Sequence, residues 1–333
     1  MKFNLKKTFN RKYFICSGKD SYLIIDYLSV TFINKKTLEE EKRIIDYFNG
    51  VSGYVTRDKK YLLLGNISGE YRLYDIEKQE YINEIHPEQK DNMICIGLEE
   101  KLDSKSFFMT YSSSDFLYTR KPRKASDMKL FECTFPDFKG EKELSFDSKY
   151  YDVYACRMLN GYLLINNKGT IDFMDENNNI TKHPEILYND IQPVTNEERK
   201  EIYIVSEYGF RVYDSNLVEI NKFDVINDNK KEITSPLYYF LNKGTLPDKE
   251  DNTPQMENAE QICGLEQLDE NHVVALVTEA MSAYSKIDVI DVRDGSLVGE
   301  LKLGFKVDGC TVLDSTHIAF SALENIHILE IES

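Results

Sequence analysis

The feature that most limits what this chain can become is a short segment that recurs along it. Each copy is an alternating apolar strand closed by an acidic or amide residue and preceded by a small or polar turn. The clearest copies are Tyr71-Arg72-Leu73-Tyr74-Asp75, Phe210-Arg211-Val212-Tyr213-Asp214 and Ile287-Asp288-Val289-Ile290-Asp291. Val30-Thr31-Phe32-Ile33-Asn34, Ile171-Asp172-Phe173-Met174-Asp175 and Ile326-His327-Ile328-Leu329-Glu330 are looser. Phe116-Leu117-Tyr118-Thr119-Arg120 keeps the alternation and loses the acid. A period of two sends successive side chains to opposite faces of a strand. A helical period of 3.6 does not persist beyond about 12 residues anywhere, and Glu39 to Tyr47 is the best short helical candidate.

Each copy follows another apolar strand across a tight turn, as in Tyr61-Leu62-Leu63-Leu64-Gly65 before Ser68-Gly69, and is followed by a polar turn and a further strand such as Glu80-Tyr81-Ile82-Asn83-Glu84-Ile85. With a strand upstream, that makes four short antiparallel strands per unit, the pattern of a β-propeller blade. The closing residues fall at 34, 75, 120, 175, 214, 291 and 330, in steps of 41, 45, 55, 39, 77 and 39. Most steps sit near the roughly 40 to 45 residues of one blade.

The long step needs one blade plus an insertion, or two blades. Residues 226 to 258 hold a single good apolar run, Pro236-Leu237-Tyr238-Tyr239-Phe240-Leu241, too little for four strands, so they read as an insertion between blades. Without them the chain divides by seven into units of about 43 residues. The expectation is one all-β domain over residues 1–333, a seven-bladed propeller of four-stranded antiparallel blades; eight blades is the alternative. The last unit lacks a fourth strand, and Lys2-Phe3-Asn4-Leu5-Lys6-Lys7-Thr8-Phe9 is expected to supply it, pairing an edge otherwise open.

The repeats resemble the WD40 family, whose third strands often end in Trp-Asp. Here the pairs are Tyr74-Asp75, Tyr213-Asp214, Met174-Asp175, Ile290-Asp291, Leu329-Glu330 and Ile33-Asn34, with no tryptophan and no Gly-His dipeptide. Without that dipeptide, the family's His-Ser-Asp bracing network is not expected here. The resemblance implies a non-catalytic platform that binds proteins or peptides where the loops between blades emerge.

Charge narrows the partners. A formal net charge of −16 repels phosphate backbones and anionic lipid, so neither nucleic acid nor membrane is expected, and a basic protein or peptide is favoured. No apolar run approaches the roughly 20 residues that span a bilayer, and Lys2, Lys6, Lys7, Arg11 and Lys12 interrupt any signal-peptide core. The chain reads as cytoplasmic and monomeric on its own. The run Arg120-Lys121-Pro122-Arg123-Lys124 is either a solvated hairpin tip or a nuclear-import or acidic-partner patch. Cys16, Cys95, Cys133, Cys156, Cys263 and Cys310 stand singly, and five of them fall on expected innermost strands, where a reduced thiol packs as a small hydrophobe.

No GxGxxG, phosphate loop, HExxH or GxSxG occurs, and neither cofactor nor metal is expected. The five histidines, His86, His183, His272, His317 and His327, never stand at ligand spacing, and His317 and His327 read as structural. Asp175-Glu176-Asn177-Asn178-Asn179 has calcium-loop oxygens, but Ile180 stands where glycine is needed and Ile186 where the bidentate glutamate belongs, which favours a polar turn. Asp58, Glu99, Glu100, Asp269 and Glu270 follow innermost strands and read as turn residues.

The leading expectation is a non-catalytic interaction platform, a scaffold or adaptor. A dedicated inhibitor or immunity-type binder of one basic partner, and a propeller hydrolase or lactonase with a channel site, stay open as alternatives. Candidate partner-binding residues are Leu237, Tyr238, Tyr239, Phe240 and Leu241 in the insertion. Phe135, Phe138 and Phe146 join them on a second long connection, Phe135 to Lys149, expected to run between blades.

Overall fold

The computed structural model describes the whole chain except residues 11–13, 46, 47, 49, 67, 69, 86–92, 114–127, 137–141, 145–149, 167, 190, 207, 227–259, 280–284 and 333. Among the described residues, 28 strands form seven four-stranded antiparallel sheets. β1 (Lys2–Asn10) stands apart in sequence from its sheet. The first sheet is β2 (Phe14–Ser17), β3 (Ser21–Asp26), β4 (Ser29–Asn34) and β5 (Glu40–Ile45); the second is β6 (Gly50–Val55), β7 (Tyr61–Asn66), β8 (Tyr71–Asp75) and β9 (Glu80–Ile85). The third holds β10 (Met93–Glu100), β11 (Ser106–Ser113), β12 (Met128–Thr134) and β13 (Lys142–Leu144); the fourth β14 (Tyr150–Cys156), β15 (Gly161–Asn166), β16 (Ile171–Asp175) and β17 (Ile180–Thr181). The fifth holds β18 (Val194–Asn196), β19 (Glu201–Ser206), β20 (Gly209–Tyr213) and β21 (Glu219–Asp224); the sixth β22 (Glu260–Gln267), β23 (His272–Glu279), β24 (Ser285–Asp291) and β25 (Leu297–Leu303). In the seventh, β26 (Gly309–Asp314), β27 (His317–Ala322) and β28 (Asn325–Glu332) take β1 as their fourth strand, as expected. Lys6 of β1 forms an ion pair with Glu330 of β28.

The chain packs as two compact units, Lys7–Asn189 with Glu324–Ile326, and Met1–Lys6 with Asp190–Leu323 and His327–Ser333. In each, the core lies between neighbouring sheets, because the second and third strands are buried on both faces. In the first unit, Leu62 and Leu64 of β7 pack with Leu23, Ile25, Val30 and Phe32 of the first sheet, while Leu63 packs with Phe107, Met109 and Tyr111 of the third. In the second unit, Val273, Ala275 and Val277 of β23 join Tyr203, Phe210 and Val212, while Val274 and Leu276 join Ile318 and Phe320. Burial on both faces turns the expected alternation into near-continuous apolar runs such as Tyr22-Leu23-Ile24-Ile25. The fourth strands have one covered face at most, and β5 and β21 are correspondingly charged and exposed.

The recurring acid closes the turn between third and fourth strands. Asn34 Oδ1 accepts the N–H groups of Lys36 and Thr37 at 2.9 and 3.1 Å, Asp75 Oδ1 that of Lys78 at 2.9 Å, and Asp175 Oδ1 those of Asn177 and Asn179 at 2.9 and 2.8 Å. Asp214 Oδ1 accepts from Asn216 and Val218 at 2.8 and 2.9 Å, and Asp291 Oδ1 from Arg293 at 2.9 Å. These turns hold one residue at positive φ, 55° at Leu38, 53° at Gln79, 64° at Asn178, 58° at Leu217 and 75° at Gly295. A side-chain acceptor offsets the cost of that conformation in residues other than glycine. Only glycine suits position 295, where an added Cβ would stand 2.3 Å from Phe223 Cδ1. The Asp175 segment is thus a hairpin turn.

The third sheet departs from expectation. Its third strand is Met128–Thr134, paired Phe107↔Cys133 and Met109↔Phe131, and not Phe116–Arg120, which lies outside the described residues together with the basic run that ends at Lys124. An apolar alternation without the turn-closing acid was not enough to mark a third strand. Phe135 to Lys149 is likewise not one connection between sheets, since Lys142–Leu144 inside it pairs with β12 as the fourth strand.

Because Asp214 closes its turn through two N–H bonds, with the Val218 N–H the main cause of its lowered pKa, Asp214→Ala is expected to cost about 1 kcal/mol in urea unfolding and Asp214→Asn appreciably less.

Candidate functional site

The first strands β18, β22 and β26 are mostly half-buried, whereas the second strands beside them are mostly buried. In the unit that holds the fifth to seventh sheets, the first strands β18, β22 and β26 run side by side, β22 between the other two. They line an open cavity of about 910 Å³. Its wall is Gln192, Pro193, Val194 and Thr195 at β18, Gln261, Cys263, Glu266 and Gln267 on β22, Thr278 on β23, and Lys306, Asp308, Cys310 and Val312 at β26. Most of these residues lie at the starts of the first strands, where the chain arrives from the preceding sheet.

Glu266 is the chemically distinctive member. Its Oε2 accepts the backbone N–H of Val312 at 2.7 Å, so a side chain of one sheet is tied to the main chain of the next. Burial pushes its pKa up to about 7 against the lowering effect of that bond and of the Thr311 hydroxyl. Burial and the nearby Glu266 raise the Cys310 thiol as well, which leaves it protonated and unreactive at neutral pH. Cys263 is exposed, with Sγ 2.8 Å from Thr278 Oγ1. It occupies a β-bulge, since the register between β22 and β23 skips from Ile262 to Gly264.

The other unit carries a sister arrangement on β10. There the register skips from Cys95 to Gly97, and Glu99 Oε1 accepts the N–H of Ala155 on β14 at 3.0 Å. Burial raises the pKa of Glu99 to about 7 as well. Arg57 lies beside it, Nη2 3.5 Å from Glu99 Oε1, and is held by Glu100, whose Oε2 accepts the Arg57 N–H at 2.9 Å and whose carbonyl accepts from Nη2 at 3.0 Å. Glu99 and Glu100 are therefore strand residues that join sheets, and not the turn residues expected. The signal for this was present in the sequence as an internal repeat, Ile94-Cys95-Ile96-Gly97-Leu98-Glu99 against Ile262-Cys263-Gly264-Leu265-Glu266.

Of the candidate partner-binding residues, Leu237, Tyr238, Tyr239, Phe240, Leu241, Phe138 and Phe146 lie outside the described residues. Phe135 is half-buried at the end of β12, its ring 5.4 Å from Tyr61 and 5.2 Å from Phe107. The described histidines are engaged locally. His272 Nδ1 is 2.8 Å from Asp269, His317 Nδ1 3.0 Å from Asp314 and His183 Nδ1 3.1 Å from Glu185, while His327 stacks on Phe320 with ring centroids 4.7 Å apart. Five of the six cysteines stand on first strands, as expected, and Cys133 on β12 is the exception. Among the described residues no three metal-binding side chains converge, and no helix is long and apolar enough to cross a membrane.

No protein-family model matches the chain, and no curated protein matches it in sequence. Among solved structures, the β-propeller domain of Cps50 (Swd1) from Myceliophteria thermophila aligns with a TM-score of 0.62 over 99% of this chain and 100% of that one, at 12% identity. In fold, the chain is a seven-bladed β-propeller. Identity this low carries the architecture alone.

The two inter-sheet glutamates make the propeller's stability depend on pH. A carboxyl with a pKa of about 7 in the folded state takes up a proton on folding, since its unfolded value is near 4.3. Its contribution is complete below about pH 4.3 and is lost as pH rises to about 7. The melting temperature is expected to fall between pH 5 and pH 8, and to fall less in a Glu99→Gln, Glu266→Gln double variant, whose amides can still accept both N–H groups. Equal pH dependence in the two proteins would contradict this assignment.

Proposed function

We propose that this propeller is a non-catalytic protein-interaction platform that binds a peptide segment of a protein partner at the cavity among β18, β22 and β26. The observation that carries the reading is the cavity itself, about 910 Å³ and lined by amide, hydroxyl, thiol and carboxylate groups along three neighbouring first strands. Concave sites with a few fixed polar groups are where ligands bind, and one of this volume takes several side chains. Tyr208 and Leu323, exposed in turns between second and third strands of the same unit, lie at the end of their sheets where the first strands begin and offer apolar contact. The net charge of −16 favours a basic partner through faster encounter.

A peptide display library selected against the propeller tests this. Selected peptides are expected to lose at least about tenfold in affinity for Thr195→Trp and Cys263→Trp, variants that fill the cavity, with melting curves recorded to show that both remain folded. Unchanged affinity in folded variants would place binding elsewhere. The same titration on a Tyr238→Ala, Tyr239→Ala, Phe240→Ala variant decides whether that apolar run contributes contacts.

A further inference from the structure

The two bulged first strands are alike in sequence and in what their glutamates do, and they differ in one respect that bears on ligand chemistry. Glu99 and Glu266 each accept one N–H from the first strand of the next sheet, at 3.0 and 2.7 Å. One N–H fills part of a carboxylate's acceptor capacity and leaves its charge uncompensated. At Glu99 a cation answers that charge. Arg57, in the turn after the preceding sheet's first strand, stands 3.5 Å away and lowers the pKa that burial, Asp152 and Glu100 raise.

The corresponding turn before β22 carries Arg199, and its guanidinium is taken by Glu201 through bonds of 2.8 and 3.0 Å. Among the described residues no cation lies within ion-pair distance of Glu266. Its polar neighbours are the Val312 N–H and the Thr311 hydroxyl, with the Cys310 thiol beside it. Lys306 and Asp308 are the other charged residues of the cavity wall. Where the sister site has its arginine, this one has an open cavity.

We propose that the cavity among β18, β22 and β26 is a receptor for a cationic side chain, an ammonium or guanidinium presented by the peptide partner, which takes at Glu266 the place that Arg57 takes at Glu99. The inference rests on the reading of this cavity as the peptide site and adds the chemistry that selects the peptide. It has a thermodynamic signature. Without a cation, Glu266 holds its proton to about pH 7; an entering cation favours the carboxylate, so binding expels that proton. Affinity therefore rises with pH between about 5 and 8, and binding near pH 6.5 releases a fraction of a proton.

The test is calorimetric titration of the full chain with acetyl-Gly-Gly-Arg-Gly-Gly-amide and its lysine and glutamine counterparts, at pH 5.5, 6.5 and 8. Each titration is run in two buffers of different ionisation enthalpy, so that proton release is read directly on the wild-type protein. The arginine or lysine peptide is expected to bind at least about tenfold more tightly than the glutamine peptide at pH 8, with a smaller ratio at pH 5.5. Glu266→Gln should remove the preference and the proton release, and Glu99→Gln should leave both. Equal binding of the three peptides, binding without proton release, or no binding by any of them at 10 mM overturns the proposal. If library-selected peptides bind at the cavity and carry neither arginine nor lysine, the cationic receptor falls and the interaction platform stands. If no selected peptide responds to filling the cavity, both fall.

Discussion

Everything else in this molecule depends on the face-to-face burial of its sheets. A single repeat unit cannot bury its hydrophobic face alone and needs stacked neighbours to be stable. Here the second and third strands of a sheet send alternate residues into two different cores, so that Leu62 and Leu64 serve one interface and Leu63 the next. The second and sixth sheets are thus each stabilised by neighbours on both sides. The interior strands become almost wholly apolar, and the fourth strands are left free to carry charge.

That burial places demands on the turns, which must reverse the chain within a few residues at the edge of a packed sheet. The repeated aspartate or asparagine meets the demand by accepting N–H groups that no strand can satisfy. In the WD40 family the Gly-His dipeptide and its partners brace the blade; this chain has no such dipeptide. Its acids instead act locally, each within its own turn, and Asp291 shows how strongly. Bonds from Arg293 hold its carboxyl down to about 2. Such acids stabilise the fold at neutral pH, whereas Glu99 and Glu266, raised to about 7, weaken it as pH rises. The two groups of carboxylates therefore act in opposite directions on either side of mildly acidic pH.

Joining sheets through a buried carboxylate is an expensive device unless the charge is answered. At Glu99 it is answered by Arg57 within the chain. At Glu266 no cation among the described residues does so, and Arg199 in the turn after β18 pairs with Glu201. The same strand motif thus meets an arginine in one unit and lines a cavity in the other.

The sequence by itself determined the architecture: the repeated third strands, the count of seven, the borrowing of β1 by the seventh sheet and the placing of five cysteines on first strands. All of these follow from local patterns, alternation and a turn-closing acid, that survive in a linear reading. Where the local pattern misled, at Phe116 to Arg120, the acid was absent and the true third strand began twelve residues later, at Met128. The repeat of Gly-Leu-Glu in β10 and β22 was also legible, but its meaning was not. Only the tertiary structure decided that Glu99 and Glu266 reach across to another sheet, because their partners, Ala155 and Val312, lie 56 and 46 residues away. It alone decided that one of them has a cation and the other a cavity, since the ionisation of a buried group is set by what surrounds it in space and not by its neighbours along the chain.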